Sequence, residues 1–136
     1  MLLFVYGTLK TGHVNNFLLR KGKLVGPCTT HKLFRLYDCG PFPALVKEEY
    51  HLIEGELWEV DEAIMEGCDR LEGHPNLYKR EEIEVDIQEK ILTAWTYFFN
   101  RKINSALKPM VGPRWPEDKP PTLKQVCEHH AHHGKS

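Results

Sequence analysis

Little in this 136-residue chain is lopsided, and each missing feature removes a class of function. Eighteen lysines and arginines face nineteen aspartates and glutamates, for a net charge of −1. Basic residues are scattered and never run beyond two in a row, so the electrostatic footprint of a nucleic-acid partner is absent. No apolar stretch approaches the ~20 residues that span a bilayer, and no membrane partner is expected. The opening MLLFVYG has neither a basic leader nor a long apolar core. It does not read as a secretion signal, and the cytosol is the expected location. Cys28, Cys39, Cys68 and Cys127 lie far apart with no CxxC spacing. Without a secretory signal they read as free thiols, with Cys68 packed in the core. No internal repeat is present.

What is there has the composition of an ordinary globular protein, 41% hydrophobic and 27% charged, in a length that suits one domain. Leu2 to Tyr6 is short, apolar and β-prone. After Gly7 the period changes, and Val14, Phe17, Leu18 and Lys21 fall on one helical stripe. KLVGPCTT, HKLFRLYD and, after CGPFP, ALV read as short strands. HLIEGELWEV is long enough for a central strand, with Gly55 marking a bulge or a close backbone approach. Asp61 is placed to N-cap a helix through EAIMEGCDRL, stapled by Val60 and Met65. Ile64, Met65, Cys68 and Leu71 form its apolar face, and Gly73 ends it. In LYKREEIEVDI, Ile83, Val85 and Ile87 alternate with acidic residues, the pattern of a half-solvated sheet. DIQEK then turns the chain into KILTAWTYFF.

Past Asn100 the periodicity fades, and KPMVGPRWPEDKPP holds five of the nine prolines. The expected organisation is a domain over 1–104 and a tail over 105–136, proline-rich and then histidine-rich. The expected fold is α+β: a mixed, mainly antiparallel, partly closed β-barrel with two flanking helices.

Two stretches carry candidate chemistry. Gly7 and Gly12 have the spacing of a phosphate-binding loop, but His13 and Val14 stand where Lys and Ser/Thr are needed, so nucleotide triphosphates are excluded. What remains is a strand-to-helix turn. Either its amides at Gly7, Thr8 and Leu9 converge on a small anion such as a carboxylate, or Gly7 serves the turn alone. In CDRLEGHPNLYKR, Glu72 falls at the helix C-terminus, where the macrodipole disfavours an ionised carboxylate by roughly 0.3–1 kcal/mol. Burial adds to this. Glu72 is then either a carboxyl tuned to take and return a proton near neutrality or a stray surface glutamate. Tyr78 and Arg80 either reach the same region or serve as a packed aromatic and a solvated cation. Gly40 to Pro43 is a rigid turn or part of a pocket rim. Cys127, His129, His130, His132 and His133 are potential metal ligands, but with no apolar shell around them they read as an adventitious site.

VYGTLKTG, LYDCGPFPALV, EGELWEVDE and LEGHPNLYKR, in that order between Leu2 and Phe99, together resemble the gamma-glutamylcyclotransferase-like superfamily. The resemblance is closest to its small gamma-glutamylamine cyclotransferase-type members. It implies cleavage of a gamma-glutamyl amide by internal cyclisation, releasing 5-oxoproline and a free amine, with no metal or cofactor. The substrate it implies is a small gamma-glutamyl molecule. Amides of the Tyr6-Gly7-Thr8-Leu9 turn would bind its α-carboxylate, Glu72 would be the catalytic residue, and Tyr78 would support the pocket. The alternative reading is a module on the same fold that binds a small acid without turning it over. The histidine-rich tail lies outside the resemblance and inherits nothing from it.

Overall fold

Alternation along the first strand decides how the layers stack. The computed structural model describes residues 1–116. In β1 (Leu2–Val5), Phe4 and the following Tyr6 point into one core cluster, and Leu3 and Val5 into another. Both sides of this strand are therefore buried, which is why it reads as a continuous apolar run rather than an alternating one.

Around β1 the sheet runs β3 (Pro43–Glu59), β1, β5 (Lys90–Phe99), β4 (Tyr78–Ile87), β2 (Lys23–Asp38), and β2 pairs again with β3. The result is a closed five-stranded barrel. All these pairings are antiparallel except β1 with β5, so it is mixed and mainly antiparallel, as expected. The short runs anticipated on either side of CGPFP merge into two long strands that coil around the barrel. Register shifts between Leu24 and Gly26, Thr29 and Leu33, and Phe34 and Arg35 take up the bend. Gly55 stays in register opposite Cys28, so it is not a bulge. A Cβ there would fall on the Val5 carbonyl oxygen and 2.7 Å from the Phe4 ring; close approach is the reason for glycine.

Ile83, Val85 and Ile87 face the barrel interior with Phe4, Leu36, Leu45, Ile53 and Leu57. The outer layer is built by α1 (Glu62–Glu72). The Asp61 carboxylate accepts from the Ile64 amide at 2.9 Å. Gly73 adopts φ 64°, and its N–H donates to Arg70 O. Met65 and Cys68 are buried against Leu3, Val5, Trp58, Tyr78 and Tyr97. The first of the two flanking helices is a single 3₁₀ turn over Asn16–Leu19. Asn15 is spent on Thr8 rather than on capping: its side chain donates to Thr8 Oγ1 at 3.0 Å and makes no cap bond. Of the expected stripe Val14 and Phe17 are exposed and Leu18 is half-buried, and the residue that enters the core is Leu19, off that stripe.

Beyond Asn104 the chain stays on the barrel. β6 (Lys108–Pro109) pairs with Tyr37 and Asp38 of β2. The Glu54 amide donates to Pro113 O, and Trp115 is buried, its carbonyl accepting from Lys10 Nζ at 2.8 Å. As far as residue 116 the proline-rich segment bends along the barrel and has a buried anchor in Trp115. Among the described residues no helix is long and apolar enough to cross a membrane.

Candidate active site

Tyr6, Gly7, Thr8, Leu9, Glu72 and Tyr78, which come from three separate parts of the sequence, line one cavity. It lies where the turn after β1, the last turn of α1 and the start of β4 meet. The space is narrow. About 20 Å³ is open to the centre of a water molecule, within about 350 Å³ of empty volume that includes the mouth. A ligand larger than water therefore has to displace part of the rim.

The turn is fixed from behind. Lys10 N–H donates to Gly7 O, Asn15 N–H to Thr8 O, and the Asn16 side chain to Leu9 O. These bonds use carbonyls. Among the described residues, no backbone hydrogen bond outside the helices and strands has the Gly7, Thr8 or Leu9 amide as donor. Gly7 has no positive φ. It is glycine because a Cβ would stand 2.6 Å from Pro43 Cγ and 2.8 Å from Cδ, so tight packing against the rim, not turn geometry, demands it.

Phe42 and Pro43 line that rim, and the Cys39 N–H to Phe42 O bond closes a turn across Gly40, so the 40–43 segment is both a turn and part of the pocket. Tyr78 holds it down: its hydroxyl donates to Pro43 O at 2.7 Å, and its ring meets Phe42 and Phe99 edge-on. Tyr6 is used similarly, donating to the Tyr97 carbonyl at 2.6 Å. Burial, with the charge of Glu72 as a further cause, pushes both phenols well above the usual tyrosine range. They stay neutral and act as wall and donor.

Glu72 is half-buried on the cavity wall. Cys68 is core, as its place in the helical stripe predicts. Burial first, and then Glu72 and Asp69, push its thiol up to about 12, so it is not a nucleophile at neutral pH. Arg80 does not line the cavity. Its guanidinium grips Asp69 with two bonds, Nε to Oδ1 at 2.9 Å and Nη2 to Oδ2 at 3.1 Å.

Tyr97 is the wall residue that sequence reasoning missed. KILTAWTYFF carries aromatics on both faces, so its pattern does not say which one meets α1. Asp69 was missed too, although its spacing of three from Glu72 puts both on one helix face. Cys28, Cys39 and Cys68 are free thiols. Among the described residues no three His, Cys, Asp or Glu side chains gather to hold a metal ion. Cys127 and the histidine-rich segment lie outside the described residues.

Comparison with known proteins agrees with the geometry. Residues 3–117 match the family model described as gamma-glutamyl cyclotransferase, AIG2-like. A Vibrio cholerae protein bearing a provisional gamma-glutamylcyclotransferase name is 39% identical over 98 residues, which cover 72% of this chain and 81% of that protein. The human gamma-glutamylaminecyclotransferase is 33% identical over 100 residues, 65% of this chain and 63% of its own length. The crystal structure of an AIG2-like protein from Mus musculus superposes with a TM-score of 0.76 at 24% identity, over 88% of this chain and 90% of that one. That likeness speaks to the fold.

Proposed function

Because the chain belongs to the gamma-glutamyl cyclotransferase, AIG2-like family, we propose that it cleaves a gamma-glutamyl amide by internal cyclisation, with Glu72 as the proton carrier. The observation that carries this reading is the meeting of Glu72 and the Gly7–Leu9 turn on one cavity. Oriented amides favour the substrate's α-carboxylate. With that group seated in the turn, the α-ammonium is held toward Glu72.

Glu72 takes one proton from the ammonium, and the freed nitrogen attacks the γ-carbonyl carbon. A five-membered ring forms as the C–N bond to the amine breaks. The departing nitrogen receives that proton from Glu72, the ring nitrogen then gives up its second proton through the same carboxyl, and the products are 5-oxoproline and the amine, released as its ammonium. The attack is intramolecular, so the protein has to fold the substrate and pass protons from the attacking nitrogen to the leaving one. One carboxyl and a set of oriented amides suffice for that, and the reading calls on no metal or cofactor.

A gamma-glutamylamine, with its amine projecting through the mouth beside Phe42, is the proposed substrate class. The similarity to the human gamma-glutamylaminecyclotransferase supports this choice, as does a cavity with little room for a second large group. The test is 5-oxoproline release from a panel of gamma-glutamylamines, gamma-glutamyl amino acids and larger gamma-glutamyl conjugates. The highest kcat/KM is expected for the amines. Preference for another donor class would overturn the substrate assignment, and no release from any donor would overturn the activity.

A further inference from the structure

The end of α1 carries a knot of hydrogen bonds that the chemistry above does not use. Asp69, one helical turn before Glu72, accepts both bonds from Arg80 and a third from the Tyr97 hydroxyl, at 2.6 Å. Arg80 and Asp69 side chains are 21% and 20% exposed. The guanidinium lies over the Trp95 ring, 4.6 Å from its centroid, and the Arg80 amide donates to His74 Nδ1 at 3.0 Å. Tyr97 in turn lines the cavity and offers its carbonyl to Tyr6. The chain Arg80–Asp69–Tyr97–Tyr6 thus ties β4, α1, β5 and the end of β1 together around Glu72.

A solvated ion pair contributes little to structure. This one is largely buried and two-pronged, and a third donor shares its carboxylate, so it fixes a single geometry. Residues three apart on a helix share a face; holding Asp69 holds the turn that presents Glu72.

We infer that Arg80, acting through Asp69, is a positioning residue that fixes the Glu72 carboxyl and balances the charge around it. The functional meaning of this rests on the reading of Glu72 as proton carrier. The titratable groups around Glu72 are Cys68, Asp69 and His74 on its own segment, Tyr6 after β1, Tyr78 and Arg80 on β4, and Tyr97 on β5. The Cys39 thiol lies beside Tyr6 and Tyr78. Burial keeps the three phenols and Cys68 neutral. His74 Nδ1 is occupied as an acceptor. Asp69, one helical turn from Glu72, and the Arg80 bonded to it carry opposed full charges, and each offsets the other.

Removing either partner should move Glu72 in opposite directions. Without the Arg80 cation, Asp69 disfavours the ionised Glu72 and its midpoint rises. Without the Asp69 anion, Arg80 favours it and the midpoint falls. The experiment is a carboxyl ¹³C NMR titration of the full chain, with the Glu72 signal identified by its loss in Glu72→Gln. Arg80→Gln, which keeps donors for Asp69, is expected to raise the midpoint by about one unit and Asp69→Asn to lower it by about one. Arg80→Lys should restore the midpoint but not the fork, so with a gamma-glutamyl donor kcat should fall about tenfold with KM little changed. Arg80→Gln should fall further. Midpoints that stay put, or move the same way in both charge-removing variants, would overturn the inference. The titration is read on resting protein, so wild-type protein without turnover would sink the proposed activity and leave this test intact.

Discussion

Gly7 lies so close to Pro43 that its missing side chain is part of the pocket's shape. Gly7→Ala would push a proline ring, which has no flexible end to yield, and so displace the rim from the amides. It is expected to cost about 1–3 kcal/mol of stability by overpacking and to raise KM several-fold, read by urea unfolding and steady-state kinetics. Tyr78→Phe keeps the aromatic packing but leaves the Pro43 carbonyl without its 2.7 Å donor. A loss of about 1 kcal/mol is expected, with the kinetic effect falling on KM more than kcat if the hydroxyl acts only through the rim. At this scale the sequence was partly legible. Gly7, Glu72 and Tyr78 stood out because each broke a local pattern or sat at an element's end. That Gly7 answers to Pro43, 36 positions away, was not legible, because no local rule encodes a contact made by barrel closure.

α1 is the element whose placement the chemistry depends on. Its boundaries were readable from Asp61 and Gly73, because capping is local physics, and its buried face from the spacing of Met65 and Cys68. The Asp69–Arg80 clamp was not readable, because β4 supplies half of it. Burial raises the proton affinity of Asp69, but bonds from Arg80 and Tyr97 and the Arg80 charge outweigh it and hold the carboxyl below its ordinary range. A depressed folded-state pKa contributes stability above the unfolded value of about 3.9 and loses it as pH falls through the folded one. Between pH 6 and pH 3, Asp69→Asn should therefore lose less stability than the wild type. Equal acid sensitivity in urea titrations of the two proteins would contradict the clamp's contribution. The 3₁₀ turn over Asn16–Leu19 shows the opposite case. A helical stripe was present, but Asn15 is taken by Thr8 and the segment is held short.

At the scale of the whole molecule, barrel closure makes one face of β1 interior and α1 covers the other, while the pairing of β1 with β3 brings Gly55 against Val5 and Phe4. Gly55→Ala forces backbone apart inside the barrel and is expected to cost more than about 3 kcal/mol, enough to lower soluble yield and the melting temperature together. The described part of the proline-rich stretch, to residue 116, packs on the same barrel. Trp115 is 3% exposed, so removing residues 105–136 should lower the melting temperature by several degrees as the Trp115 site opens. An unchanged melting temperature would place the domain's end near Asn104. The alternation of Ile83, Val85 and Ile87 foretold a sheet with one solvated face, and short turns foretold antiparallel pairing. Strand lengths were misjudged because irregularities at Leu24, Thr29 and Phe34 look like ends in a linear pattern and are bends in a barrel.

The most direct measurement is 5-oxoproline release from a gamma-glutamylamine by purified wild-type protein and by Glu72→Gln, both checked for folding by circular dichroism. Turnover in the wild type and a loss of about 10²–10⁴-fold in Glu72→Gln, with both proteins folded, is the expected result. Comparable release by the two would remove Glu72 from the reaction. Binding of the donor without release by either would make this a small-acid-binding module on the same barrel.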